Sequence, residues 1–495
     1  MTKVFKKIGS FCRANKKALI ALLFLITVVA LAFGASALIT YIRLHTNTSG
    51  LVFTLDEATG TYAVTGYEGS ATEVIITGSY EGKPVTAIAD EAFAENAEIK
   101  RVSVTGVKTV GSYAFVGCTA LEAAVFYDGV ETLGNSVFAG CTALRQATLP
   151  DTVTSMGYDT FINCAALRTV RLSSGLKELP MYTFANCTAL RSVTIPDSVE
   201  VIGKRAFESC SSLAECKLPK NLRVIEDYAF ASGSAFTEQN KLTKLDLPDT
   251  LEKIGIGAFY YGRKLEELRI PAGVTEIAPY TFYECESLTR IYFPETMTTV
   301  GEFAFFDCKA LRYVTLPEKL SEVGGRAFYK NPWVESLADE NGFAIGADVF
   351  LGYFGTAESI TLPDSGYSII ANVCFGSQTI KEVVIPSGSA RVICKQALSS
   401  APLLETVRIG EGVTTLGDST FYYDNGLVTV CIPASVTTIE ANLFQMCDTS
   451  EVLAPGLPTV YYAGTRADWK NVSVAEENDE FLRAQVICES TGPEA

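Results

Sequence analysis

A phenylalanine recurs every 23 residues along most of the chain, and other apolar residues keep fixed distances from it. The regular positions are Phe115, Phe138, Phe161, Phe184, Phe207, Phe230, then Phe259, Phe282, Phe305, Phe328, and later Phe375, Leu398, Phe421 and Phe444. Phe93 opens the series and Phe350 lies in the gap before Phe375. A period of this length indicates stacked structural repeats.

The apolar pattern inside one unit predicts its elements. After Phe138, apolar residues follow at Cys141, Leu144, Ala147, Leu149, Val153 and Met156. The spacing of three from Phe138 to Leu144 predicts a short helical turn, and the alternation at 147–149 predicts a short strand that ends at Pro150. So small a unit buries its apolar face only against its neighbours, which predicts an α/β solenoid with short strands and one helical turn per unit.

The ends and two stretches depart from this period. Residues 51–80 predict an N-terminal hairpin cap about the turn at Ala58, and residues 456–495 predict a C-terminal cap and tail that contain Trp469. Between them, the repeat array spans 81–455. Its irregular stretches are an insertion at 231–241 and a non-repetitive segment at 329–362, where the array is expected to bend or divide.

An apolar segment near the N-terminus predicts membrane attachment. Residues 18–42 are long enough to span a bilayer as one helix. Residues 1–17 before this segment are basic, so the N-terminus is expected in the cytoplasm and the array outside, as in a signal anchor. A linker at 43–50 follows the segment. The alternative is a signal peptide cleaved near Ala37, which predicts a secreted protein.

Charge narrows the range of partners. The first 49 residues hold seven Lys or Arg and no Asp or Glu, so the remaining chain has 33 basic and 56 acidic residues. An acidic array of this kind is not expected to bind nucleic acid through bulk electrostatics. His45 is the single histidine, which nearly excludes mechanisms that need an imidazole. No catalytic residue, cofactor or metal site is predicted.

The repeat resembles BspA-type leucine-rich repeats. The pattern L-x-x-V-x-I-P, V-x-x-I-G and A-F-x-x-C is met by LRSVTIPDSVEVIGKRAFESC at 190–210 and by LTRIYFPETMTTVGEFAFFDC at 288–308. The hairpin segment and the ending YYAGTRADW are also similar to flanking segments of that family. This resemblance implies a surface or secreted protein that adheres to other proteins without catalysis, and it implies no particular ligand.

Cysteines recur three residues after the repeat phenylalanine, as in TFANCTALRSVTIP at 183–196. They are Cys118, Cys141, Cys164, Cys187, Cys210, Cys285, Cys308 and Cys447. A straight line of such positions does not form the tetrahedron that zinc needs. Parallel, in-register side chains also keep their Cβ atoms too far apart for an unstrained disulfide. We therefore expect reduced thiols that pack in the core, with disulfides as the alternative.

Two groups of residues are candidates for binding. On the outward face of the predicted strands lie Arg290, Tyr292, Arg312 and Tyr313. Directly after the repeat phenylalanine, four consecutive units carry Tyr260, Tyr283, Phe306 and Tyr329, which stacking would align as an aromatic column. Exposed aromatic and arginine side chains are typical of interface centres. The alternatives are a solvated sheet surface for the first group and a half-buried structural column for the second.

These observations favour a non-enzymatic protein that binds extracellular or host-surface proteins through one solenoid face. One alternative is a structural spacer without a selective ligand. Another is a glycoside hydrolase, which needs only two carboxylates, for example Glu266 and Glu267. A concave pocket that holds two such groups would favour the hydrolase.

Overall fold

The computed structural model describes residues 46–233, 239–374, 376–447 and 456–493. The predicted membrane segment at 18–42 and the basic tail before it lie outside the described residues, as do the first three residues of the linker. Within the described ranges, no helix is both long and apolar enough to cross a membrane.

Most units contribute a longer and a shorter strand, and the strands are numbered in chain order. The longer strands are β3 (Glu73–Ile76), β6 (Arg101–Val104), β8 (Ala123–Phe126), β10 (Gln146–Thr148), β12 (Thr169–Arg171), β14 (Ser192–Thr194), β16 (Glu215–Lys217), β19 (Glu267–Arg269), β21 (Arg290–Tyr292), β23 (Tyr313–Thr315), β27 (Ser359–Thr361), β29 (Glu382–Ile385), β31 (Thr406–Ile409), β33 (Thr429–Ile432), β35 (Thr459–Tyr462) and β37 (Val486–Cys488). The shorter strands are β7 (Thr109–Val110), β9 (Thr132–Leu133), β11 (Ser155–Met156), β13 (Glu178–Leu179), β15 (Val201–Ile202), β17 (Val224–Ile225), β18 (Lys253–Ile254), β20 (Glu276–Ile277), β22 (Thr299–Val300), β24 (Glu322–Val323), β28 (Ile369–Ile370), β30 (Val392–Ile393), β32 (Thr415–Leu416), β34 (Thr438–Ile439) and β36 (Ser473–Val474).

Within each sheet of the array, strands pair in parallel with strands of the same kind from the neighbouring unit. In the longer set, β10 pairs with β12 so that Ala147 faces Val170, while in the shorter set Leu133 of β9 faces Met156 of β11. Hairpins interrupt this rule: β1 (Leu51–Asp56) pairs antiparallel with β2 (Thr61–Tyr67), and β4 (Ser79–Tyr80) with β5 (Lys83–Ile88). β2 and β5 pair in parallel and join the hairpin to the shorter set.

The segment around each repeat phenylalanine is a pair of turns, and the predicted helical turn is wrong. Tyr113 and Gly117 both have positive φ, 59° and 65°, and two left-handed residues four apart break an α-helix. The N–H groups alternate in their partners: Phe115 donates to Val137 O of the next unit at 2.9 Å, and Val116 donates back to Tyr113 O at 3.0 Å. This turn segment therefore forms a third line of hydrogen bonds between units.

The repeat phenylalanines form one continuous stack in the core. From Phe93 to Phe328, consecutive rings are nearly parallel with centroids between 4.9 and 5.6 Å apart. The stack ends on Trp333, which meets Phe328 edge-on at 67°. The apolar set predicted for the unit of Phe138, from Cys141 to Met156, is buried as expected.

The core divides near the irregular segment at 329–362, where the sequence predicts a bend or a division. There α1 (Pro332–Glu335) and the antiparallel pair β25 (Phe343–Gly346) and β26 (Val349–Tyr353) replace a normal unit. One apolar cluster reaches from Val64 through this segment to Cys394, and a second runs from Phe350 to Phe481, so the two overlap in sequence. We call the two parts the first and the second array.

Polar contacts join the two arrays beside this division. Arg326 Nη2 donates to Ser399 Oγ at 2.9 Å and to Ser400 Oγ at 3.0 Å. Lys395 Nζ lies 3.1 Å from Glu302 Oε2. Residues 73 to 93 positions apart in sequence are therefore connected through charged and hydroxyl groups.

Two further short helices follow the last regular unit. They are α2 (Arg466–Trp469), which begins with a capping box at Thr465, and α3 (Asp479–Arg483). The Trp469 ring contacts Tyr462 at 4.8 Å and Phe481 at 5.8 Å between centroids. These rings cover the exposed end of the second apolar cluster.

Candidate binding surface

Three strands of the first array present a mixed aromatic and charged face. In β19, β21 and β23, Leu268, Ile291 and Val314 are in register and point inward. On the other side of the sheet, one register row consists of Glu267, Arg290 and Tyr313, and the next of Arg269, Tyr292 and Thr315. The alternation of side chains along each strand therefore brings these six residues onto one surface.

The centre of this face is an arginine stacked on a tyrosine. The Arg290 Cζ lies 4.7 Å from the centroid of the Tyr313 ring, and such a cation–π contact holds both side chains in place. Tyr313 is 59% exposed and Tyr292 is 41% exposed, although both are large apolar side chains. Arg312 is exposed directly before β23. The structure therefore brings together Arg290, Tyr292, Arg312 and Tyr313, and we call them the strand-face group.

The aromatic column lies elsewhere, on the turn segments. Its ring centroids are 4.9 Å apart for Tyr260 and Tyr283, 4.9 Å for Tyr283 and Phe306, and 5.4 Å for Phe306 and Tyr329. All four residues are half-buried, and burial raises the pKa of Tyr260 and Tyr283. The four rings are therefore aligned as predicted, and they form the half-buried column that is the alternative to an exposed one. The eight predicted binding residues thus form two groups on different segments of the units.

A nearly buried arginine that sequence reasoning missed supports the aromatic column. The side chain of Arg263 is 6% exposed; its Nη2 lies 2.5 Å from Glu284 Oε2 and its Nε 3.4 Å from Glu286 Oε1. Lys309 Nζ contacts Glu286 Oε1 at 2.9 Å, and the Arg263 guanidinium covers the Tyr261 ring at 4.8 Å. The one sequence signal was its place beside Gly262, which stands where most units have cysteine.

The recurring cysteines are buried, free thiols that donate hydrogen bonds. Cys141 Sγ donates to Phe115 O of the preceding unit at 3.1 Å, and Cys164 Sγ donates to Phe138 O at 3.1 Å. Burial raises the pKa of Cys210 to about 12, which keeps that thiol protonated. In the described ranges, no group of three or more His, Cys, Asp or Glu is placed to hold a metal ion.

An open groove of about 640 Å³ runs between the strand segments at 243–249 and 266–271. Its acidic residues are Asp246, Asp249, Glu266 and Glu267, which include the pair considered for glycoside hydrolysis. All four are exposed, and Asp246 forms an ion pair with Lys244 at 2.9 Å. A glycosidase acid instead lies in a partly apolar pocket, so this geometry gives no support to that chemistry.

The fold is a parallel solenoid, and each short unit buries one phenylalanine and several leucine or valine residues. This arrangement is typical of a leucine-rich-repeat protein. A family model described as "BspA type Leucine rich repeat region (6 copies)" matches residues 76–188, 108–234, 232–353 and 344–463. The chain therefore belongs to the BspA-type leucine-rich-repeat family. No curated protein matches the chain.

Solved structures of bacterial leucine-rich-repeat proteins are similar to this chain. A leucine-rich cell surface protein from Faecalibacterium prausnitzii is 21% identical over 86% of this chain and 97% of its own, with a TM-score of 0.30. A repeat protein from Bacteroides ovatus is 19% identical over 90% and 99%, with a TM-score of 0.40. The pneumococcal vaccine antigen PcpA is 17% identical over 90% and 98%, with a TM-score of 0.37. Because these TM-scores are below 0.5, family membership rests on the repeat sequence.

Proposed function

We propose that this chain is a non-enzymatic cell-surface protein that binds an extracellular or host-surface protein through the strand-face group. The observation that carries the proposal is the exposed Arg290–Tyr313 stack beside Tyr292. Tyrosine and arginine dominate the energetic centres of protein interfaces, and residues that are already ordered lose little entropy on binding. The BspA-type family and its surface-protein relatives agree with this role.

The proposal includes attachment through residues 18–42, with the N-terminus in the cytoplasm and the repeat array outside. The apolar length of that segment and its basic flank support this orientation. Release by cleavage near Ala37 would give a secreted form with the same binding face. The hairpin of β1 and β2 is proposed to cap the array at its membrane-proximal end.

The test measures binding of the purified full-length chain to a panel of extracellular-matrix and cell-surface proteins. Replacing Arg290, Tyr292 and Tyr313 by alanine is expected to weaken the binding selected from the panel by at least about tenfold, or about 1.4 kcal/mol. The control replaces Tyr113 and Tyr158 by alanine; these are tyrosines of other units that are 38% and 41% exposed, and the control is expected to bind normally.

Two results would contradict the proposal. Equal binding by the strand-face variant and the control would remove that group from recognition, and a parallel alanine variant of Tyr260, Tyr283 and Tyr329 would show whether the aromatic column is used instead. Absence of any selective partner in the panel would favour the structural spacer.

A further inference from the structure

A second surface of the first array has an unusual arrangement of charge. The residue after the repeat leucine is arginine in three consecutive units, Arg145, Arg168 and Arg191, and all three side chains are exposed. The Arg168 N–H donates to Arg145 O at 2.9 Å, so these positions are neighbours in adjacent units. We call this set the arginine column. Its members are about one strand spacing apart, ~4.8 Å.

Elsewhere the solenoid places opposite charges at stacked positions. Residues that are 23 apart and in adjacent units form ion pairs between Lys108 and Glu131 at 3.7 Å, Lys177 and Glu200 at 3.9 Å, Lys220 and Asp197 at 3.5 Å, Lys309 and Glu286 at 2.9 Å, and Lys381 and Glu358 at 2.7 Å. In the arginine column, Arg168 has an arginine on each side. Like charges at this spacing repel each other, so the column does not contribute to folding in the way that these pairs do.

Two members of the column have no carboxylate partner. Arg145 Nη1 lies 3.8 Å from Glu122 Oε2 at one end of the column. For Arg168 and Arg191, no carboxylate of the described residues lies within 4 Å. Their guanidinium groups therefore keep their hydrogen-bond donors free for an anion, and guanidinium binds carboxylate or sulfate oxygens in a bidentate manner.

We propose that the arginine column binds a linear sulfated polysaccharide that lies along the solenoid axis. Three guanidinium groups in a line match a narrow chain whose anionic groups repeat along its length. Further along the same strand face lie Glu215, Asp246 and Glu267, all exposed. A flat anionic surface such as a bilayer would meet these carboxylates as well and be repelled, whereas a single polysaccharide chain can follow the column alone.

The experiment measures binding of a fluorescein-labelled heparin octasaccharide to the purified full-length chain by fluorescence polarisation at several salt concentrations. The wild type is expected to bind, and its affinity is expected to fall as salt rises. The variant Arg145→Gln, Arg168→Gln, Arg191→Gln is expected to bind at least about tenfold more weakly. Its thermal unfolding midpoint, measured by circular dichroism, should be equal to or above that of the wild type, because repulsion is removed.

The matched control removes three exposed lysines at scattered positions, Lys241→Gln, Lys264→Gln and Lys319→Gln, and changes net charge by the same amount. It should bind the octasaccharide within about twofold of the wild type. Absence of octasaccharide binding, or equal loss in both variants, would overturn the proposal. Competition by polyglutamate as strong as that by unlabelled heparin would also overturn it and would point to an acidic protein segment. Because the strand-face group is intact in both variants, this test fails or succeeds independently of the proposed protein binding.

Discussion

At the scale of single residues, the position three after the repeat phenylalanine shows what the core requires there. Most units use cysteine, whose Sγ donates to the phenylalanine carbonyl of the preceding unit. Asn331 takes the same position, and its Nδ2 donates to Phe305 O at 2.9 Å. Near the insertion, Asn240 Nδ2 donates to Phe230 O at 3.0 Å. In these units the phenylalanine carbonyl therefore accepts a hydrogen bond from a small buried donor, and thiol reactivity is not needed for it.

Asp424 occupies this position in the second array and is an acid where most units of the first array have cysteine. It is fully buried, and its Oδ1 accepts a hydrogen bond from the Ala401 N–H at 2.7 Å. Burial raises the pKa of Asp424 well above its ordinary value, against the opposing effects of that hydrogen bond and of Arg326. A raised pKa means that the folded state binds the proton more tightly than the unfolded state does.

We predict that Asp424→Asn stabilises the protein at neutral pH. The wild-type carboxyl contributes fully below the unfolded pKa of about 3.9, and its contribution is lost as pH rises through the higher folded pKa. Asparagine keeps the Ala401 contact and does not ionise. At pH 7 the variant is expected to have the larger free energy of unfolding, by more than about 1 kcal/mol. At pH 3 the two should converge.

Urea unfolding followed by circular dichroism at a series of pH values measures this difference. The control is Asp249→Asn at an exposed position of the groove, and it should parallel the wild type. If the free energy of unfolding of Asp424→Asn also follows the pH dependence of the wild type, ionisation of Asp424 does not destabilise the protein at neutral pH.

At the scale of elements, the turn segment depends on residues that tolerate a left-handed backbone. Gly140 has φ of 72°, and the equivalent residue of the next unit is Asn163 with φ of 60°. A Cβ at Gly140 would meet nothing closer than Gly117 Cα at 3.8 Å. Space is therefore available at this position, and backbone conformation alone limits which residue can stand there.

We predict that Gly140→Asn is tolerated and Gly140→Val is not. Asparagine is common in the left-handed region, whereas a β-branched residue there is strained by about 1–2 kcal/mol. The asparagine variant is expected to unfold within about 1 kcal/mol of the wild type, and the valine variant at lower urea. Equal losses for both would show that side-chain volume, and not φ, decides this position.

The sequence predicted the core of each unit better than its turns or its ion pairs. The burial of Phe138, Leu144 and Val153 follows from the 23-residue period of the sequence. The turn segment was mistaken for a helix because a spacing of three is common to both, and only the alternating N–H partners distinguish them. The ion pairs of Arg263 with Glu284 and Glu286, and of Lys309 with Glu286, join three different units. No local sequence pattern therefore predicts them. The strand-face group was predicted because alternation along a strand fixes the exposed positions.

At the scale of the whole molecule, two apolar clusters share one chain. A repeat array unfolds cooperatively only when the contacts between its units are strong. Where the clusters meet, apolar residues of the second array such as Ile369 and Cys394 pack against the first cluster. Polar contacts lie beside them: Arg326 binds two serines, and burial lowers the pKa of Arg326 to about 10 while leaving it charged at neutral pH. The two arrays are therefore expected to be coupled through Arg326 and the Lys395–Glu302 pair.

We predict that Arg326→Ala separates the unfolding of the arrays. Loss of hydrogen bonds to a charged donor is expected to remove about 2 kcal/mol or more from the contact between them. Differential scanning calorimetry should then resolve two transitions, or one transition that is clearly broader. The control Arg223→Ala removes an exposed ion pair with Glu252 inside the first array. If the calorimetric transition of Arg326→Ala is as sharp as that of the control, the two arrays are not coupled through Arg326.

The edge-on Trp333 ring at the end of the phenylalanine stack limits where the gene can gain or lose repeat units that belong to this stack. Duplication or loss of one in-frame unit upstream of Phe328 would preserve every ring contact and would lengthen or shorten the molecule by one strand spacing. An edge-on indole offers no parallel face for another ring, so a duplicated unit that extends this stack has to lie before Trp333. Such a change would alter the length of the first array and leave the residues of the second array unchanged.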